Sequence, residues 1–342
     1  MSSSSISITL EKVMNKKIEN FEEKNLKVNN SISNFVGSNK ITIKRYRVII
    51  ENKTKEVIVK NSSSKIVTNG IKLLSNGNPL ILFGLIKHHA FFNYDNSRLR
   101  EKNIYENIDE KLKMNFITYY GTYKNNIVLD YINIKNDYNY KKIISKITSI
   151  HAFYYNHPEI IKKFLLNNNT PDKYKKCRKT LLKMYKELDN SNINKELNIE
   201  EFIINSENYI AKYQHHKSLT HNDFSPRNIF MDSKNLYIYD WELASYQNPE
   251  HDLIELLVYI SKELTENEII NYIKQYKREL YTKIKIRFTS EQYKEILLIN
   301  LKDFIAIRLT MLRLTDKKIK INFINDLIKN CNKLYEIINR SV

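Results

Sequence analysis

Residues 219–257 read LTHNDFSPRNIFMDSKNLYIYDWELASYQNPEHDLIELL, and this stretch decides the fold. His221, Asp223 and Asn228 sit in a short polar loop between apolar runs. NIFMD and NLYIYD follow as two alternating segments around residues 233–235, a pattern that predicts a tight hairpin closed by Asp240. The hairpin end carries a carboxylate and an amide, with a second carboxylate a few residues upstream. Phosphoryl transfer needs that inventory: one carboxylate to orient an attacking hydroxyl, and oxygen ligands to hold Mg²⁺ across the phosphates. Taken singly, Asp223 and Asn228 also describe an Asx-rich turn, and Asp240 a strand-end cap. Turns do not require this set of spacings together.

HNDFSPRN followed by IYDWE resembles the HxDxxxxN and metal-Asp motifs of the aminoglycoside phosphotransferase and choline kinase superfamily. The resemblance implies an α+β, bilobal protein-kinase-like fold with a small β-rich N-lobe and a large helical C-lobe. It also implies a small-molecule kinase that moves the γ-phosphate of ATP or GTP to a hydroxyl. Acceptors consistent with it are an aminoglycoside-like antibiotic, a choline-like amino alcohol or another metabolite. By the resemblance Asp223 is the catalytic carboxylate, Asn228 and Asp240 bind Mg²⁺, and His221 supports the loop. Asp252 opens the helix DLIELLVYI, where an acid is favourable through the helix dipole and where the family places a brace for the catalytic loop; the two roles are compatible. Trp241 reads as a core plug before a substrate platform. Glu242 either assists the metal or acceptor or is a solvated, loop-bonding carboxylate. Arg227, directly before Asn228, departs from the motif and is available to an anionic acceptor or to a loop carbonyl.

Upstream, residues 8–29 carry apolar residues at helical spacing and predict a leading helix. ITIKRYRVIIEN and KEVIVK predict a hairpin, a looser segment with Gly70, Gly77 and Pro79 follows, and SRLREKNIYENIDEKL has a helical period. FITYYGTY and NIVLDYI complete a lobe over residues 1–132, leaving 133–342 as the helical lobe. The resemblance assigns Lys60, at the end of KEVIVK, to the nucleotide phosphates, with Glu101 as its partner on a helix similar to the family's E-x-x-x-Y segment. A buried lysine needs such a partner, whereas a surface lysine and a solvated glutamate do not. Gly37 and Ser38 in FVGSNK fall where the phosphate-covering turn belongs, and adenine is expected on the backbone of Leu129, Asp130, Tyr131 and Ile132. Helices are predicted over 138–155, 171–188 and 199–215. Thr170 before Pro171 reads as an N-cap, and Thr265 with Glu268 and Thr289 with Gln292 read as capping boxes. His151 reads as a structural histidine on an apolar face.

The 342 residues exceed one ordinary core, and a 42% hydrophobic share is enough to bury two lobes. Two distant cysteines, Cys177 and Cys331, indicate neither a disulfide framework nor a zinc site. No signal peptide is legible, and the longest apolar stretch, residues 79–86, is too short to span a bilayer, so a cytoplasmic location without a membrane partner is expected. The net charge of +18 is spread along the chain and comes with no RNP, KH or zinc-finger pattern, which disfavours a nucleic-acid partner. The competing readings are a catalytically silent nucleotide-binding or interaction module and a basic nucleic-acid-binding protein. A protein kinase is opposed by the lack of D-F-G and A-P-E. Neither the oligomeric state nor the choice between ATP and GTP is legible.

Overall fold

A computed structural model of the chain describes residues 3–24, 42–61, 70–132, 138–231, 235–317 and 321–341. Helix α1 (Ser3–Met14) precedes an antiparallel sheet of β1 (Asn20–Lys24), β2 (Thr42–Ile50), β3 (Lys53–Asn61), β4 (Tyr119–Tyr123) and β5 (Asn126–Asp130). The strand order is β1-β2-β3-β5-β4. Glu51 and Asn52 both take left-handed φ between Ile50 and Lys53, as a two-residue hairpin turn on twisted strands requires. Side chains alternate across the sheet. Tyr46, Val48, Ile50, Val57, Val59 and Val128 form one face and pack under Ile6 and Leu10 of α1. Ile58 and Lys60 therefore turn to the opposite face, where Ile127 and Leu129 join the main core.

Two expectations change here. The leading helix is shorter than its apolar period indicated: Asn15 at φ 48° terminates α1, and Asn20–Lys24 pairs with β2 as an edge strand. The looser segment contains a helix, α2 (Pro79–Lys87), started by Asn78, whose side chain accepts from the N–H groups of Leu80 and Ile81. Asn before Pro is a start signal in its own right, because Pro at the first turn needs no N–H partner. Helix α3 (Ser97–Asn107) then brings Ile104 and Tyr105 into the main core one turn after Glu101.

The remainder is helical: α4 (Tyr140–Phe153), α5 (Glu159–Phe164), α6 (Pro171–Lys186), α7 (Ile199–Lys212), α8 (Glu250–Ile260), α9 (Glu266–Ile284), α10 (Ser290–Asp303), α11 (Thr310–Asp316) and α12 (Ile324–Ser341). Thr170 caps α6, and both capping boxes form, at Thr265 with Glu268 and at Thr289 with Gln292. A π-helical turn, Phe304–Leu309, joins α10 to α11. Three short strands, β6 (Asn167–Asn168), β7 (Ser218–Thr220) and β10 (Ser245–Gln247), make a second sheet, and β8 (Ile229–Met231) pairs with β9 (Leu236–Ile238) as the predicted hairpin. Its turn, residues 232–234, lies outside the described residues. Trp241 is fully buried and stacks on Phe116 at 4.9 Å, so it fills the core beneath the hairpin. Among the described residues no helix is long and apolar enough to cross a membrane.

Candidate active site

The loop between β7 and β8 is fixed by carboxylates from α8. Asp252, buried at the helix start, accepts from the backbone N–H of His221 at 2.7 Å and of Asn222 at 2.9 Å, and His151 Nε2 lies 3.0 Å away. Burial would raise the Asp252 carboxyl, but the hydrogen bond and charge of His151 outweigh it and lower it. One turn later Glu255 accepts from Phe224 N–H at 2.7 Å. Two helical carboxylates thus satisfy three N–H groups of an irregular segment that packing alone cannot satisfy. His151 is held in the core by Asp252 and by Tyr276, 2.7 Å from its Nδ1.

His221 is buried against Trp241, with ring centroids 4.7 Å apart, and its Nε2 donates to the carbonyl of Tyr239 at 2.8 Å. The N–H of Tyr239 donates to the carbonyl of Asn228 at 3.2 Å. Both backbone groups of the residue before Asp240 are therefore clamped to the loop. Asp223 is nine-tenths buried, and Asn228 Nδ2 donates to its carbonyl at 2.8 Å and to its Oδ2 at 3.0 Å. That leaves the Oδ1 of Asn228 as the atom suited to a metal. Arg227 Nη2 donates to Asp223 Oδ1 at 2.7 Å, and Arg308, from the π-helical turn, donates to the same oxygen. Burial pushes the Asp223 carboxyl up, yet Arg227 and Arg308 overcome it and hold the group well below the usual carboxylate range.

On the sheet side, Lys60 Nζ lies 2.8 Å from Glu101, 2.5 Å from Asp240 and 3.5 Å from Glu242. Burial alone would lower the Lys60 ammonium; Asp240, Glu101 and Glu242 together keep it well above the usual lysine range. Burial likewise pushes Glu101 up to about 7 against the pull of Lys60. Lys60 pulls Glu242 down, but burial and the negative charge of Asp240 raise it on balance. Carboxylate oxygens of Glu101, Asp240 and Glu242 lie within 4.8 Å of one another, and Glu101 Oε1 is buried without a partner. Such an all-oxygen set suits a hard divalent cation. Asp240 itself adopts a left-handed conformation, φ 66° and ψ 52°, which turns its side chain out of the line of β9.

The structure thus brings Asp223, Asn228, Arg227 and His221 into one cluster, and Lys60, Glu101, Asp240 and Glu242 into another, joined through Tyr239. Leu129 and Asp130 end β5, Asp130 accepts from Tyr120 Oη at 3.2 Å, and Tyr131 donates its N–H to Glu56. Ile132 is the last described residue before residues 133–137, which lie outside the described residues, as do Gly37 and Ser38. Three charged residues escaped the sequence reading. Arg308 and Glu255 interrupt the apolar runs FIAIRLTML and LIELLVYI, and a charge in such a run must find a partner; that was the available signal. Arg100, fully buried, donates to the carbonyls of Leu165, Asn93, Asp95 and Glu242, and so ties the helix bearing Glu101 to the Glu242 turn.

Residues 171–286, which include both motifs, match the phosphotransferase enzyme family. No curated protein is significantly similar to the chain in sequence. Among solved structures, a choline kinase from Streptococcus pneumoniae is 14% identical, with 98% of each chain covered at a TM-score of 0.51. A choline kinase from Cryptosporidium parvum is 12% identical, covering 94% of this chain and 89% of that one at a TM-score of 0.50. The fold is protein-kinase-like, and the chain carries the phosphotransferase-family segment within it.

Proposed function

We propose that the protein is a small-molecule kinase, transferring the γ-phosphate of ATP or GTP to a hydroxyl of a small acceptor. The observation that carries this reading is Tyr239: its two backbone groups, bonded to His221 and Asn228, hold Asp240 and its Lys60–Glu101 pair beside the loop that bears Asp223. Phosphoryl transfer depends on positioning and charge stabilisation, and one rigid residue between the two clusters supplies the first. The lobe boundary proposed is residue 132, with the nucleotide between the lobes.

In this mechanism Asp223 accepts a hydrogen bond from the acceptor hydroxyl and orients it. Held ionised by Arg227 and Arg308, it is a weak base, so the proton leaves late, as the new P–O bond forms. Lys60, aligned by Glu101, contacts the phosphates. Asp240 and Asn228 Oδ1 are the ligands assigned to Mg²⁺, with Glu242 near enough to Asp240 to assist. A divalent cation held there would neutralise charge on the triphosphate. Arg227 and Arg308 offset the repulsion between the Asp223 carboxylate and the incoming phosphoryl oxygens.

The test is a screen of hydroxyl-bearing compounds for Mg²⁺-dependent release of ADP or GDP, with an Asp223 variant as control. Release that requires neither Mg²⁺ nor Asp223 would sink the proposal. Lys60→Ala should raise KM for the nucleotide and lower kcat/KM by roughly 10- to 100-fold, the worth of one charge-assisted contact. Steady-state kinetics with varied ATP measures it, and unchanged constants would reassign the lysine.

A further inference from the structure

We propose that helix α2 and the lysine stripe of α6 beside it form a docking surface for an anionic lipid bilayer. Leu80, Phe83 and Ile86 enter the headgroup region, and Lys87, Lys179 and Lys183 meet the lipid phosphates. The inference is independent of the kinase reading above. The expectation of no membrane partner rests on the length of the apolar stretch, which excludes crossing a bilayer; a short amphipathic helix lies along the interface instead.

Helix α2, PLILFGLIK, buries Ile81, Gly84 and Leu85. Leu80, Phe83 and Ile86 recur every third residue on the other side and are 59%, 66% and 55% exposed. The described residues expose seven large hydrophobic side chains, and three of them lie within two turns of this one helix. Apolar residues scattered singly on a surface need no explanation, whereas a contiguous apolar stripe marks an interaction site. The helix contains no acidic residue and ends in Lys87.

The basic side comes from α6, which runs antiparallel beside α2. Asn78 Nδ2 donates to Glu187 Oε1 at 2.7 Å, Gly84 sits so close to Thr180 that a Cβ there would overlap its side chain, and the Phe91 and Tyr174 rings meet at 5.0 Å. Lys176 and Lys183 lie one turn either side of Thr180, along the edge that α2 follows, and Lys179 stands between them. All three are exposed. The two acids along this edge are taken up: Asp172 by Lys176 at 2.6 Å, and Glu187 by Asn78. Lys87, Lys179 and Lys183 have no acidic partner among the described residues. Charge decides between occupants. A second copy docked through the same face by two-fold symmetry brings the lysines of each copy against those of the other. An anionic bilayer meets them with phosphate, and the lysine stems reach past the apolar stripe to the headgroups. The net charge of +18 supplies long-range attraction, which α2 turns into an oriented contact.

The test is co-sedimentation of the full chain with vesicles of phosphatidylcholine alone and of equal parts phosphatidylcholine and phosphatidylglycerol. Partitioning onto the anionic vesicles is expected to be roughly 100-fold stronger, about fivefold for each of the three lysines, and to weaken as salt is raised. Phe83→Ser with Ile86→Ser changes two exposed positions and leaves the net charge as it is; the pair should lower anionic binding by roughly 10-fold or more through the lost apolar contact. Lys179→Ser with Lys183→Ser should lower it by roughly 25-fold and leave the weaker binding to neutral vesicles unchanged. A thermal melt matching wild type verifies that both variants fold. Equal binding to the two vesicles, or binding to neither, overturns the proposal. So does anionic binding that the Phe83 and Ile86 changes leave intact, which would assign the attraction to diffuse charge. Self-association of wild type without lipid in analytical ultracentrifugation, lost in the same variant, also overturns it and gives the face to a second copy.

Discussion

Asp223→Asn lowers kcat for phosphoryl transfer by about 10²- to 10⁴-fold, the range for a lost general base, while ATP or GTP binds with nearly unchanged affinity. The asymmetry follows from where the residue sits. Asp223 contacts Asn228, Arg227 and Arg308, and none of the residues that surround Lys60. Asparagine is the informative substitution because it keeps the shape and one oxygen acceptor for the two guanidinium groups. Alanine would leave Arg227 and Arg308 facing each other without an intervening acceptor, a cost of several kcal/mol for uncompensated buried charge that would confuse catalysis with folding. Nucleotide binding is read by fluorescence of a labelled ATP analogue and transfer by ADP release in the same preparation. Turnover within threefold of wild type would remove the carboxylate from the mechanism. Loss of nucleotide binding would show instead that the two clusters are not separable.

The loop and its hairpin were legible because their constraints are local. A polar loop between two short alternating segments specifies β8 and β9, and the His221, Asp223, Asn228 and Asp240 spacing survives into three dimensions with little help from the rest of the chain. The pairing of Lys60 with Glu101 was implied by the family resemblance, and the sheet explains why it forms: period two along KEVIVK sends Lys60 to the face opposite Val57 and Val59, where a buried ammonium requires an acid. The long-range partners were not legible. Arg308 reaches Asp223 across 85 positions of sequence, and no periodicity encodes which of 56 basic residues does so. The π-turn that precedes α11 is also silent in the sequence, because FIAIRL has the composition of any buried helix. Chain direction after α1 failed on a single residue: Asn15 takes a left-handed φ that asparagine tolerates, ending a helix whose apolar period continues on paper to residue 29.

The second large effect belongs to Asp240. Asp240→Asn abolishes the gain in nucleotide affinity that Mg²⁺ confers and reduces turnover by roughly 10²- to 10³-fold, the scale of one lost electrostatic contact at a charge-developing centre. The backbone dictates the choice of substitution. At φ 66° and ψ 52° alanine adds strain of about 1–2 kcal/mol, whereas asparagine enters the left-handed region readily and preserves the side-chain volume. The neutral amide still accepts a hydrogen bond from Lys60, so the lysine keeps Glu101 and Glu242 as charged partners and remains ionised. What the variant lacks is the formal charge that a divalent cation selects, and an amide oxygen replaces that poorly. Calorimetric titration of ATP with and without Mg²⁺ separates the outcomes: wild type binds more tightly with the metal, and the variant binds the same in both. A metal-linked difference of full size in the variant would place the cation elsewhere, and Glu242 and Glu101, whose carboxylates share the cluster, become the ligands to replace next.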